Sequence, residues 1–234
     1  MSPPDTDKYV EALAKISRAV ASEQYLEDIL KLIVMVTAKV TGVEICSLWM
    51  IEEKDGHKQI RLMATQSIEP EYVKDRTLNM TQGVVGYVAT HKTPIIIPDV
   101  LQDQRFHEKA MAEKLGLVSM VGIPMQIKNN DVIGVLNCFT AEPHDFSETE
   151  VHLITAVASQ AAVAIHNTQL AMDAKVIREE LETRKLVERA KEVLVRQRQI
   201  PVDEAFRLIQ KRSMDSRKPL REVAEAVLLS EGLY

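Results

Sequence analysis

Aromatic side chains make up only 4% of this 234-residue chain, so any core must rest on Val, Ile, Leu, Ala and Met. Cysteine is scarcer still. Cys46 and Cys138 are the whole supply, each inside an apolar, strand-like run. That excludes a disulfide framework and reads as two buried free thiols in a reduced cytoplasm. No window approaches eighteen consecutive apolar residues, which excludes a membrane-spanning helix. The start, Met1-Ser2-Pro3-Pro4-Asp5, lacks the basic residues and apolar run of a secretion signal. Catalytic signatures are missing as well: no Walker loop, no nucleophile elbow, no HExxH. His91 and His107 have neither HxxxH nor CxxC companions. The sequence therefore predicts no catalytic residue, no metal site and no identifiable cofactor.

What remains, 46% hydrophobic and 27% charged, is the composition of a folded protein rather than a disordered one. The charge is unevenly placed. From Arg184 to Arg221 there are 12 Lys and Arg against 5 Asp and Glu, in a chain whose net charge is −5. A cationic end on an otherwise acidic chain points to a polyanionic partner.

Spacing along the chain predicts an antiparallel α+β domain followed by helices. Val10, Leu13, Ile16 and Val20 mark a helix over Tyr9–Ala21. Ile29, Leu30, Ile33 and Val36 mark another over about 26–40, stopped by Gly42. Val43–Glu52 and Ile60–Ser67 read as strands joined at Asp55-Gly56, and Val118–Ile127 and Val132–Thr140 as strands joined at Asn129-Asn130. Between these hairpins, Gly83–Ala89 reads as a short helix and Pro94–Asp99 as a short strand bounded by prolines.

Ser147 with Glu150 forms a capping-box pattern, and no Gly or Pro follows until after Gln197. One helix over that span is roughly 75 Å long at 1.5 Å per residue, too long for one small domain to bury. Ile154, Ala158, Ala161, Ile165 and Met172 run near a 3.5-residue repeat that resumes, after a slip, at Ile177 and Leu181. Such a pattern predicts a homodimer through the 147–197 helix. Two helices broken near Asp173 are the alternative. Beyond it, Pro201 and Pro219 open two further short helices.

Two resemblances carry these patterns further. Gly83-Val84-Val85-Gly86-Tyr87-Val88-Ala89, Pro94, Pro98-Asp99-Val100, Asp103-Gln104-Arg105-Phe106, Ser119–Met125 and Val132–Leu136 resemble, in order and spacing, a GAF domain, a small-molecule sensing module. Arg184, Ala190-Lys191, Ala205-Phe206, Leu208, Ser213-Met214, Leu220 and Val223-Ala224 resemble an ANTAR domain, a three-helix RNA-binding module of antitermination regulators. Together they imply an α+β GAF domain, an antiparallel sheet flanked by helices, joined by a long coiled-coil helix to an all-α three-helix ANTAR bundle. The expected boundaries are 1–146 for the sensor, 147–183 for the helix completing it, and 184–234 for the RNA-binding domain.

The GAF resemblance implies a possible small-molecule ligand between the sheet and the 78–117 excursion, with Asp99, Phe106, Met120 and Cys138 as candidate lining. Asn137-Cys138-Phe139 does not reproduce the cyclic-nucleotide signature of the family, and neither cysteine sits where a bilin is attached. The ANTAR resemblance implies paired hairpins of a leader transcript as the RNA, contacted by Arg184, Lys191, Arg198, Gln210, Lys211 and Arg217. It places Ala190, Ala205, Phe206, Leu208, Met214 and Val223 in a miniature core, which argues against base stacking on Phe206. Glu192 stands where the family often has Gly, and Gln210 where it often has Arg. A duplex-DNA-binding factor and a dimeric scaffold without nucleic-acid affinity are the competing readings.

Overall fold

The computed structural model describes residues 14, 26–67 and 76–231. The expected Tyr9–Ala21 helix lies outside these residues. The chain divides into two compact units, Met1–Thr168 and Gln169–Tyr234.

The first unit is a six-stranded sheet with spatial order β3-β2-β1-β6-β5-β4. Every neighbouring pair is antiparallel. Helix α1 (Leu26–Thr41) ends at Gly42, whose φ of 73° only glycine adopts freely. Strands β1 (Ile45–Lys54) and β2 (His57–Thr65) turn at Asp55 and Gly56, both at positive φ as a tight hairpin requires. The excursion holds β3 (Thr77–Asn79), α2 (Gly83–His91), β4 (Ile95–Ile97) and α3 (Lys109–Leu115). Sequence spacing gives only the second and third of these four: β4 shows because prolines bound its apolar run, whereas β3 and α3 have no such bounds and are too short to show a period. Strands β5 (Ser119–Gln126) and β6 (Val132–Thr140) close the sheet, joined by a 3-10 turn with Asn130 at φ 59°.

Strand alternation sorts the core into two layers. On one face Cys46, Leu48, Met50, Ile123, Leu136 and Cys138 pack with Leu30 and Ile33 of α1. Ile154, Ala158, Ala161 and Ile165 belong to this same cluster. These four, read from sequence as part of a dimer stripe, are instead buried against the sheet of their own chain. On the other face Trp49, Ile60, Val135 and Phe139 pack with Val84, Val85 and Val88 of α2 and with Phe106.

Helix α4 runs unbroken from Glu148 to Arg198, so there is no break near Asp173. The capping box forms: Ser147 N–H donates to Glu150 Oε2 at 2.8 Å, and Glu150 N–H returns to Ser147 Oγ at 3.3 Å.

The second unit packs the end of α4 with α5 (Val202–Ser216) and α6 (Leu220–Glu231). Its core is Val187, Ala190, Leu194, Ala205, Ile209, Val223 and Ala224. Of the six residues expected there, Ala190, Ala205 and Val223 are buried and Leu208 is half-buried. Phe206 and Met214 are exposed, at 39% and 66%. Ile209, four residues after Ala205 and thus on the same face, fills the place expected of Phe206.

Candidate nucleic-acid interface and sensor cavity

The basic unit owes its helix ends to local chemistry. Pro201 caps α5 in an extended conformation, and Asp203 and Glu204 sit at the positive end of its dipole. Arg217 closes α5 in the left-handed region at φ 53°, with its N–H on Met214 O. Lys218 N–H reaches Ser213 O, and Ser213 Oγ donates to Lys218 O at 2.5 Å. These bonds set where α6 begins.

Between α4, α5 and α6 lies an open groove of about 430 Å³. Leu194, Leu208, Ile209, Val223 and Val227 form its floor; Arg198, Lys211, Arg212 and Asp215 stand around it. No Asp or Glu among the described residues lies within 4.0 Å of Arg198, Lys211 or Arg212. Three cations and one carboxylate, Asp215, leave a net positive charge beside the apolar floor, which suits phosphates flanking unstacked bases.

The six sequence-derived RNA candidates are not gathered at one place. Arg198 and Lys211 share this groove. Arg184 lines another, about 530 Å³, with Val176, Glu179, Glu180, Phe206 and Leu220. Gln210 and Arg217 are exposed on α5 and at its end. Lys191 is engaged within its own helix: Nζ donates to both Glu188 carboxylate oxygens at 2.9 and 2.8 Å and lies 5.9 Å from the Phe206 ring centre. Its side chain is only 15% exposed. Arg212 was missed by sequence reasoning, although it follows Lys211 directly and spacing put it on the same turn.

In the sheet unit a cavity of about 60 Å³ opens between β1, β6 and the first turn of α2. Trp49, Asn137 and Phe139 line it from the sheet, Gln82 to Val85 from α2, and Phe106, His107 and Glu108 from the excursion. Trp49 is held by Nε1–H donating to Ser47 Oγ at 3.1 Å. Glu108 is ion-paired with Arg76, whose guanidinium lies 6.0 Å from the Trp49 ring centre. The Asp103-Gln104-Arg105-Phe106 motif aims Phe106 inward. Asp103 accepts from Arg105 N–H at 2.8 Å and from its guanidinium at 2.9 and 2.5 Å. The Arg105 hydrogen bonds hold the Asp103 carboxyl below its ordinary value. Gly86 is required here, since a Cβ would stand 2.7 Å from Met80 O.

Asn137 carries the sharpest chemical signal of the cavity. It is 3% exposed, and its Oδ1 is the one buried side-chain oxygen or nitrogen among the described residues without a hydrogen-bond partner. Its trace in the sequence is a single polar residue in the apolar run of β6, which the cyclic-nucleotide comparison passed over.

The four sequence-derived pocket candidates fare differently. Phe106 lines the cavity. Met120 is buried in the same core layer but not at the cavity wall. Asp99 is a turn residue, its Oδ1 accepting Leu101 N–H at 2.9 Å. Cys138 points to the opposite face, into the layer under α1 and α4. It is one residue out of phase, and in a strand that reverses the face. No group of three or more His, Cys, Asp or Glu suited to a metal ion occurs among the described residues. No helix there is long and apolar enough to cross a membrane.

The GAF domain model matches residues 25–165, more than half the chain, and the ANTAR domain model matches residues 175–228. The chain belongs to the GAF family and carries an ANTAR domain after it. Its α+β sheet unit is the GAF fold, and α4 leads into the ANTAR helices. The GAF domain of a phosphoenolpyruvate-protein phosphotransferase from Coxiella burnetii aligns with a TM-score of 0.63 at 24% identity, covering 72% of this chain and 99% of that one. The corresponding Acinetobacter domain aligns at 0.59 and 24%, covering 70% and 97%. Among curated proteins, the transcriptional regulatory protein PdtaR of Mycobacterium tuberculosis is 28% identical over 158 residues, 64% of this chain and 75% of that protein.

Proposed function

We propose that this protein is a signal-responsive, RNA-binding transcription antitermination regulator that acts by binding rather than by catalysis. A sensor over residues 1–146 takes a small molecule in the cavity beside Asn137. The 147–183 helix transmits the change within a homodimer, and residues 184–234 bind paired hairpins of a leader transcript in the cytoplasm. The observation that carries this reading is the groove where Arg198, Lys211 and Arg212 stand with Asp215 over an apolar floor, none of the three cations within 4.0 Å of a carboxylate among the described residues. A merely solvated basic helix would pair its cations along itself, as Lys185, Lys218 and Arg221 do with Glu182, Glu222 and Glu225. The ANTAR match and the likeness to a protein named as a transcriptional regulator support it.

The homodimer is supported by apolar side chains left in solvent on α4: Val163, Leu170, Ile177 and Leu181 are each about half exposed or more. Two modules on one dimer would gain affinity for two hairpins through effective concentration.

The test is binding of the full-length protein to a two-hairpin RNA, a single hairpin and duplex DNA of equal charge across a salt series. Preference for the double hairpin, lost in Arg198→Ala/Lys211→Ala, is the expected result. Preference for duplex DNA would replace this reading with a DNA-binding one, and equal weak binding that vanishes with salt would leave only a charged surface.

A further inference from the structure

Cys46 and Cys138 are directly opposite each other on β1 and β6, the two central strands of the sheet. Their main chains turn away from one another. Cys46 N–H donates to Gln66 Oε1 at 2.6 Å, and its carbonyl accepts Thr65 Oγ1–H at 3.0 Å and Gln66 N–H at 3.4 Å, all on the β2 side. On β6, Phe139 O accepts Glu44 N–H at 2.8 Å, and Thr140 O accepts Val118 N–H at 2.8 Å. Main-chain groups alternate sides along a strand, so those of Cys138 point with Thr140, toward β5. The two cysteines are therefore a non-hydrogen-bonded pair, in which antiparallel strands approach to about 4.5 Å between Cα atoms and side chains come closest. That separation lies at the short end of the roughly 4.4–6.8 Å that a disulfide spans. The Sγ atoms are already 3.3 Å apart. A bond of about 2.05 Å is within reach of small rotations at the two Cα–Cβ bonds.

Burial selects the oxidant. Both side chains are 0% exposed, and a buried thiol on its own is ordinarily inert. A second thiol in contact changes the outcome, because a sulfenic acid formed on one sulfur is met by the other before more oxidant arrives. A charged aqueous disulfide has no way into this apolar layer. Hydrogen peroxide, uncharged and close to water in size, enters on brief local openings. The chain holds no other cysteine, so within one molecule this is the one disulfide that can form.

We infer that Cys46 and Cys138 are an oxidisable dithiol, closed to a disulfide by a hydroperoxide and reopened by a dithiol reductant, whose closure alters the packing beneath α4. One thiol gives up its proton and attacks a peroxide oxygen; the O–O bond breaks, and a sulfenic acid and one water result. The second sulfur attacks the first, the S–S bond forms, the S–O bond breaks, and hydroxide leaves with the second thiol proton as water. Two thiols and one hydrogen peroxide thus give one disulfide and two waters, the sulfurs losing two electrons and the peroxide gaining them. Both sulfurs lie in the layer that holds Ile154, Ala158, Ala161 and Ile165 of α4. An interior packed at crystal density passes such a displacement to its neighbours. A disulfide at the short limit of strand separation is strained, which favours its reduction and makes the change reversible. The pair lies on the face opposite the Asn137 cavity, so it is an input separate from any ligand there and from RNA binding.

The reduced full-length chain is treated with hydrogen peroxide, unfolded in an alkylating reagent and mapped by mass spectrometry, beside the urea-unfolded chain treated alike. The expected product is a peptide pair joined through Cys46 and Cys138, lighter by two hydrogen atoms and separated again by dithiothreitol. Amide hydrogen exchange over residues 148–165 of α4 should change by about threefold or more on oxidation, and not at all in peroxide-treated Cys46→Ala. Cys138→Ala replaces that control if Cys46→Ala does not fold, and the peptide map of the parent chain needs neither. Folded-state thiols that stay free while those of the unfolded chain oxidise overturn the dithiol. So do thiols that advance to sulfinic acid or link separate chains. A disulfide that forms without changing exchange over α4 overturns the coupling to that helix.

Discussion

The Sγ atoms of Cys46 and Cys138 lie 3.3 Å apart across paired strands β1 and β6, and both thiols are fully buried. Cys46 turns its backbone to β2, where its carbonyl accepts Thr65 Oγ1–H at 3.0 Å and its N–H donates to Gln66 Oε1 at 2.6 Å. Burial, and then the hydrogen bond with Cys138, pushes the Cys46 thiol well above its ordinary value of 9.0. The unfolded chain therefore loses this proton at a pH where the native state keeps it. The associated stability is complete below the ordinary thiol range and declines as pH rises through it. Urea unfolding between pH 8 and 10.5 should show a shallower alkaline decline in Cys46→Ala than in the parent chain. A native-state reaction with an aqueous disulfide reagent as fast as that of the unfolded chain would contradict the burial.

Asn137 should be worth more to ligand binding than to folding. An unpartnered buried polar atom costs about 1–3 kcal/mol, which an apolar residue of similar volume avoids. Asn137→Leu is expected to raise the thermal midpoint and to abolish any stabilisation by a small molecule that fills the cavity. A loss of stability in this variant would mean that the side chain has a partner in solution, such as an ordered water.

At the start of α4, Ser147→Ala and Glu150→Ala should each cost about 1 kcal/mol by removing half of the capping box. Burial raises the Glu150 carboxyl, but hydrogen bonds from Ser147 and then His144 outweigh it and hold it below its ordinary value of 4.5. Its contribution is therefore present above that pH and is lost as pH falls through the lower native value. Acid titration followed by circular dichroism should show a weaker acid dependence in Glu150→Gln.

Lys211 and Lys191 should separate cleanly. Lys211 is exposed and has no carboxylate within 4.0 Å among the described residues, so Lys211→Ala should weaken binding to hairpin RNA and flatten the salt dependence by roughly 0.7–0.9 in log–log slope. Lys191 covers Phe206 and is bonded to Glu188, so Lys191→Ala should lower the bundle's melting temperature and leave the salt slope nearly unchanged. Equal slopes for the parent and both variants would remove Lys211 from the RNA contact.

Much of this molecule was legible in local chemistry. The Asp55-Gly56 turn, Gly42 after α1, the Ser147–Glu150 box and the absence of Gly and Pro over α4 act within a few residues of themselves, so spacing alone located the hairpins and the helix ends. The sequence by itself also determined the two modules, because their motifs are runs of neighbouring residues, and it determined the cationic end, because charge counts need no coordinates. Facing was a different matter. Whether Cys138 or Asn137 meets the cavity depends on one step of strand phase, and whether Phe206 or Ile209 fills the bundle depends on where α4 and α6 lie against α5. Only the tertiary structure decided these, and it alone divided α4 between the residues its own sheet buries and the apolar residues left in solvent. The packing partner, which lies far away in the chain, selects which apolar residues of a helix become core.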